Sequence, residues 1–237
     1  MGKKKMYFFM GFSILALVAF FVLASVAGQW GQIDINNNDG LNVPNSAEGT
    51  VINKEIKGPD PLITPSLQSF IRETDPMLGS KEATLKIMEF GDFQCPYCAD
   101  MQTTLAKVLP EFSGQVSFIW KDFANPNHLE AKNSAMAARC AQNQGKFWEY
   151  HDYLFENQAS LSRELYNKIA LELQLNLADF NKCLDGKETV ELVGEGLTDG
   201  QNIGVDATPY LIIGNSAYNY ALSEEELRQA IQNKLGK

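Results

Sequence analysis

The chain has 237 residues, a formal net charge of −9, 45% hydrophobic residues and 21% charged ones. That length holds one good-sized domain with an appendage and excludes a large multidomain machine. The acidic balance excludes a basic phosphate-binding face and so a nucleic-acid partner, and the composition excludes a wholly disordered or collagen-like chain. Four cysteines are too few for a disulfide-built scaffold.

Residues 1–5 form a basic tip carrying Lys3, Lys4 and Lys5, and Met6 to Gly28 then run for 23 residues without a charge. As a helix, such a segment spans about 30 Å of hydrocarbon. With the lysines before it and neutral or acidic residues after it, the positive-inside bias keeps the tip in the cytoplasm and exports the rest. The segment reads as a transmembrane signal-anchor, so the expected localisation is the cell membrane, single-pass, with an extracytoplasmic C-terminal domain. A cleaved signal peptide, using Ser25-Val26-Ala27, is the other reading, and secretion would follow. The apolar run exceeds the ~7–15 residues of an ordinary signal core, which favours the anchor.

Residues 29–75 are rich in Asn, Gly, Pro and Asp and lack a sustained apolar period, as a flexible linker does. Within them Thr64-Pro65, followed by Leu67, Phe70 and Ile71, predicts a short helix. The domain proper is expected over residues 76–237. Leu85 to Phe90 and Val116 to Lys121 read as strands, joined by a helix that starts at Cys95-Pro96, buries Met101, Leu105 and Val108 and stops near Leu109 because of Pro110. Strand, helix, strand with short connections implies parallel neighbours and a right-handed crossover. Residues 128–203 read as helical, with Phe147, Tyr150, His151 and Leu154 on one stripe and Leu165, Ile169 and Leu173 on another. Pro209 to Ile213 restore a strand, Gly214-Asn215 suit a tight turn, and Ala217 to Tyr220 return as its partner. Ser223 and Glu226 form a capping box for a last helix that buries Leu227, Ala230, Ile231 and Leu235, with Leu222 and Leu227 stapled across its start.

Cys95 and Cys98 form a C-x-x-C at a helix start. There the first sulfur meets unpaired backbone N–H groups and the positive end of the helix dipole, which favour thiolate over thiol. Cys95 is therefore the expected nucleophile in an exposed position. Cys98, one turn later and facing inward, is placed to resolve a mixed disulfide. A C-x-x-C is also half of a zinc site, but no second one follows, His128 and His151 lack ligand spacing, and Cys140 and Cys183 stand apart, so no metal is expected. Glu89 sits in an apolar strand six residues before Cys95, where a carboxyl under the sulfurs would exchange protons with Cys98; its apolar neighbours Met88 and Phe90 favour that role over a strand-edge glutamate facing water. Thr208-Pro209 opens a strand, and X-Pro bonds are the common route to a cis peptide, although a plain strand-start proline is the more frequent case. The aromatic residues Phe147, Trp148, Tyr150 and Tyr153 are assigned to core packing.

Three blocks, Glu89-Phe90-Gly91-Asp92-Phe93-Gln94-Cys95-Pro96-Tyr97-Cys98, Gly145-Lys146-Phe147-Trp148-Glu149-Tyr150-His151 and Val205-Asp206-Ala207-Thr208-Pro209-Tyr210, resemble the DsbA-like thiol-disulfide oxidoreductases of the thioredoxin superfamily. The resemblance runs from about Asp75 to the C-terminus. It implies an α/β thioredoxin fold with a helical insertion, an attacking Cys95, a resolving Cys98, a cis Pro209 facing the sulfurs and an acid at Glu89. It also implies a client-facing rim made by Pro96, Tyr97, Thr208 and Pro209. No cofactor is implied, since the sulfur pair carries the chemistry. The implied partners are exported clients with free thiols and a membrane re-oxidase, usually quinone-linked. The Pro96-Tyr97 dipeptide is common to oxidases, reductases and isomerases, so a reductase or isomerase stays open, and an anchored metal-binding or adaptor module is the non-enzymatic alternative. Cys140 and Cys183 fall on two different expected helices. Outside the membrane, beside a dithiol oxidant, they are expected to form a structural disulfide, with two unpaired buried thiols as the alternative.

Overall fold

A computed structural model of the chain describes Asp60, Pro61 and residues 67–237. The Met6–Gly28 segment lies outside the described residues, and among those described no helix is long and apolar enough to cross a membrane. The strands are β1 (Asp60–Pro61), β2 (Met77–Leu78), β3 (Leu85–Gly91), β4 (Val116–Asp122), β5 (Tyr210–Ile213) and β6 (Ser216–Tyr218). They form one mixed sheet in the order β1-β6-β5-β3-β4-β2, in which only β3 and β4 run parallel.

The pleat decides what each face of the central strand does. Leu85 and Ile87 belong to the larger core under the helices, whereas Met88 and Phe90 point to a smaller core on the opposite face with Ile119, Val205 and Ile212. Glu89 keeps the parity of Leu85 and Ile87, so its carboxyl goes to the helix-covered side. Helix α1 (Pro96–Val108) crosses from β3 to β4 on that side and buries Cys98, Met101, Leu105 and Val108. It ends where Pro110 forces a short 3-10 turn, Leu109–Phe112. Gly91 closes β3 under the Trp120 ring, in space that a β-carbon would occupy.

Five helices follow β4: α2 (Ala131–Gln142), α3 (Phe147–Glu156), α4 (Arg163–Glu172), α5 (Leu177–Leu184) and α6 (Lys187–Ile203). Alanines 131, 135, 137, 138 and 141 keep α2 thin and buried, so α3, α5 and α6 pack closely around it. Gly196 lets α6 lie directly on the Asp122 backbone. The chain then returns through the β5–β6 hairpin, whose two-residue turn joins Ile213 to Ser216. It finishes in α7 (Glu224–Leu235), started by the Ser223/Glu226 capping box and packed beside α1.

Three local features depart from the sequence reading. The partner strand expected over Ala217 to Tyr220 is Ser216–Tyr218, since Asn219 is exposed and leaves the ladder. The helix expected after Thr64-Pro65 is a single 3-10 turn, Leu67–Phe70, although Phe70 and Ile71 do pack on the smaller core. The residues assigned to the linker also include β1, paired to the β6 edge at Asp60↔Ala217, and the segment Arg72–Asp75, held by ion pairs. Arg72 binds Asp199 and Glu195, and the buried Lys121 ammonium lies 2.6 Å from Asp75 and 2.9 Å from Asp199. Composition cannot announce these contacts, because the partners come from β4, α2, α6 and β6, all distant in sequence.

Candidate active site

The C-terminal end of β3 leads through Asp92 and Phe93 into the start of α1, where Cys95 is the capping residue (φ −80°, ψ 120°) and Pro96 the first helical position. The Cys95 carbonyl accepts the Cys98 and Ala99 N–H groups at 3.1 and 3.3 Å, so its sulfur is left at the N–H end of the helix. Both thiols are free. Contrary to expectation Cys95 is only 5% exposed, because the Thr208–Pro209 loop closes over it and the Thr208 carbonyl lies 3.3 Å from its Sγ. The Thr208–Pro209 peptide is cis, Pro209 is buried and Thr208 half-buried. Pro96 and Tyr97 are exposed beside the sulfur, Tyr97 by 64%.

The two sulfurs differ sharply in proton affinity. Cys95 is lowered to about 5, first because the Cys98 thiol donates to it, then through contact with Thr208 and the Cys98 and Tyr97 N–H groups. Cys98 is pushed well above the ordinary thiol value by burial, by that same hydrogen bond and by the charge of Glu89. It receives the Asp92 N–H at 3.4 Å. Glu89 is fully buried, not a water-facing edge residue, and its carboxyl rises to about 8 because burial outweighs the hydrogen bond from Gln102 Nε2 (2.9 Å); the charge of Cys95 adds to the rise. Among the described residues its Oε1 has no hydrogen-bond partner. The site thus sets a thiol of lowered proton affinity, a thiol of raised affinity and a buried acid raised to about 8 where their charges act on one another.

Several residues the sequence reading did not assign complete the turn. The buried Asp92 carboxylate accepts the Gln94 and Asn125 N–H groups at 2.7 and 2.9 Å and binds His128 Nδ1 at 2.8 Å. Gln94 Oε1 accepts the Glu130 N–H at 2.8 Å, joining the turn to the β4–α2 loop. Gln158 Nε2 reaches the Phe93 and Cys95 carbonyls, each at 2.9 Å. Gln102 was within reach of pattern reading, since it follows Cys98 by one helical turn on the same face. Gln158 carried no such signal, standing in a 3-10 turn between two helices.

Cys140 on α2 and Cys183 on α5 form a disulfide with a Cα–Cα distance of 5.7 Å, inside the helical block. His151 is buried, and burial lowers its proton affinity against the opposing contact with Asp152, with Phe93, Trp120, Phe147, Trp148 and Phe155 around its ring. Phe93, Trp120, Phe147 and His151 are buried in this aromatic set, and Trp148 and Phe155 are half-buried and packed on the same core.

A family described as Thioredoxin matches residues 72–233. Among solved structures, a thioredoxin-like oxidoreductase from Silicibacter pomeroyi DSS-3 is 20% identical and aligns with a TM-score of 0.62 over 71% of this chain and 96% of that one. The thiol-disulfide exchange protein alpha-DsbA2 from Wolbachia pipientis is 19% identical, with a TM-score of 0.64 over 70% and 90% of the two chains. Among curated sequences, Na(+)/H(+) antiporter NhaA 1 of Salinispora arenicola is 28% identical over 160 residues, covering 67% of this chain and 24% of that protein. This chain spans about a quarter of the length of the curated relatives it matches, which are named as antiporters as whole proteins. The fold, the family match over residues 72–233 and the cysteine turn agree, and the chain belongs to the thioredoxin family.

Proposed function

We propose that the chain is a membrane-anchored, extracytoplasmic oxidoreductase that donates disulfides to exported proteins through Cys95 and Cys98. The observation that carries the direction is the asymmetry of the pair, with Cys95 lowered to about 5 at the helix start and Cys98 raised by burial. A stabilised thiolate favours the reduced pair, which makes its disulfide an oxidant. The Cys140–Cys183 bond supports the exported setting, because such bonds persist where thiols are not kept reduced. The uncharged Met6–Gly28 segment behind three lysines supports the anchor.

In the cycle, a client thiolate attacks Cys95 of the oxidised pair. A client-sulfur bond to Cys95 forms, the Cys95–Cys98 bond breaks, and the electron pair goes to Cys98, which takes the proton held by Glu89. A second client thiolate then attacks the client sulfur of the mixed disulfide and expels Cys95 as a thiolate, which the helix N–H groups receive. The client leaves with a disulfide and the chain keeps two electrons. A membrane re-oxidase, of the quinone-linked kind, removes them. During the mixed-disulfide stage the extended client lies along the Thr208 and Pro209 backbone, with Pro96 and Tyr97 as the outer rim.

Equilibrating the full chain with glutathione buffers tests the direction. A potential nearer about −120 mV than about −270 mV is expected, and a value at the lower end would mark a reductase. Protease protection of the intact membrane fraction tests the anchor, with the domain digested only from the exported side.

A further inference from the structure

Two regions hold the cysteine turn from the helical block. The β4–α2 loop takes Asp92 and Gln94, through Asn125, His128 and the Glu130 N–H. The other hold is a single side chain. Gln158 sits in the 3-10 turn Gln158–Ser160 that follows α3, and its one amide nitrogen reaches two carbonyls of the turn, those of Phe93 and Cys95, each at 2.9 Å. A primary amide carries two N–H donors, so one group serves both acceptors. Its own position is fixed nearby, because the Phe93 ring packs on Phe155 of α3 with centroids 5.1 Å apart.

We propose that Gln158 is a positioning residue for thiol exchange, through which the helical insertion holds Cys95 in the conformation that keeps its sulfur on the N-terminus of α1. The proposal rests on the redox reading above. The Cys95 carbonyl is the first acceptor of α1, taking the Cys98 and Ala99 N–H groups, and Gln158 adds a donor from outside the helix. Fixing that carbonyl fixes ψ of Cys95, and ψ decides whether the side chain stays beside the N–H groups of Tyr97 and Cys98. Without the amide, the capping residue swings more freely and the thiolate spends less time against those donors. The ionisable groups about Cys95 are Cys98 on α1, Glu89 on β3 and the Asp92–His128 pair between the two loops. Gln158 is neutral, so replacing it by an apolar residue leaves those charges in place and isolates the effect of position.

The test reads the Cys95 thiolate in the full, reduced chain by its alkylation rate with iodoacetamide as a function of pH, beside the equilibrium with glutathione. In Gln158→Met the alkylation midpoint is expected to rise by about half a unit, and the glutathione equilibrium to move about threefold toward the chain's disulfide. Gln144→Met is the control, because Gln144 Nε2 bonds the Asn176 carbonyl at 3.2 Å within the helical block, apart from the turn. It is expected to leave both readings unchanged. If Gln158→Met does not fold, Gln158→Asn decides, since it keeps the amide on a side chain too short to bridge both carbonyls. An unchanged midpoint in a folded variant overturns the proposal, and so does loss of fold in both variants, which would make Gln158 purely structural. Failure of the wild-type chain to form a Cys95–Cys98 disulfide in glutathione would instead overturn the redox reading on which the proposal stands.

Discussion

The four cysteine sulfurs of this chain occupy two settings, and the settings assign their chemistry. Cys95 and Cys98 lie on one helical turn, with a helix N-terminus above, a buried acid beneath and a cis-proline loop across the outer sulfur. Cys140 and Cys183 lie on two helices, with the buried Cys140 sulfur inside the block and the Thr189 hydroxyl donating to the Cys183 carbonyl at 2.9 Å. The first setting separates the proton affinities of its two thiols and offers a proton store. The second offers neither, so its bond is expected to persist while the first pair exchanges. Reactivity here is a property of the surroundings of sulfur, not of its being cysteine.

The comparison breaks most completely at Cys95. In Cys95→Ala, exchange with client thiols is expected to vanish, and in Cys98→Ala mixed disulfides should accumulate through Cys95 alone, as read by mass mapping of trapped adducts. Mild reduction followed by thiol labelling should mark Cys95 and Cys98 while leaving Cys140 and Cys183 bonded. Adducts that require Cys140 or Cys183 would erase the distinction between the two pairs.

A second, smaller effect belongs to the structural pair. The Cys140–Cys183 bond closes a loop with a sequence separation of 43 residues. Chain entropy alone gives such a crosslink up to ~4 kcal/mol, with ~2–4 kcal/mol typical. Replacing both cysteines by alanine should lower urea stability by that amount and leave the glutathione equilibrium of the Cys95/Cys98 pair unchanged. A shifted equilibrium in that variant would show that the helical block influences the site by more than its direct contacts.

How much of this could be read from residues alone depends on how local the cause was. The turn at Cys95-Pro96, the burial of Met101, Leu105 and Val108 and the Ser223/Glu226 box follow from neighbours within one or two turns, and the strand, helix and hairpin order followed from them. Glu89 was legible because two apolar neighbours in a short strand imply burial. The roles of Gln158, Asp92 and His128 were not, since each depends on a partner brought in by the tertiary fold. The same holds for Lys121, a charged residue inside an apolar strand whose carboxylates, Asp75 and Asp199, lie far off in sequence. Cys95 was expected to be exposed because a helix start usually is, and nothing local tells that Thr208 folds over it.

The finest test of the comparison is the pH dependence of the reduced chain in Glu89→Gln. The Glu89 carboxyl rises from 4.5 in the unfolded chain to about 8 in the folded one, so the folded chain keeps a proton that the unfolded chain releases. No cost arises below pH 4.5, where both forms are protonated, and stability then falls as pH rises toward 8, by about 1.4 kcal/mol per unit. At pH 7 the cost is about 3 kcal/mol. Cys95 acts with the opposite sign. Its value falls from 9.0 to about 5 on folding, so its thiolate stabilises the reduced fold fully above pH 9, and that contribution is lost as pH falls through 5. Between about 5 and 8 the two slopes oppose each other, and the wild-type reduced chain should change little in urea stability across that window. Glu89→Gln removes the falling slope and leaves the rising one, so the reduced variant should gain stability with pH there and exceed wild type by about 3 kcal/mol at pH 7. In the oxidised chain, which has no Cys95 thiolate, the rising slope should be absent and the advantage of the variant smaller, because the repulsion between the Cys95 charge and the carboxyl is gone as well. A Glu89→Gln chain that is less stable than wild type at pH 7, or equally pH-dependent in both redox states, would mean that the buried carboxyl and the Cys95 thiolate do not form one coupled unit.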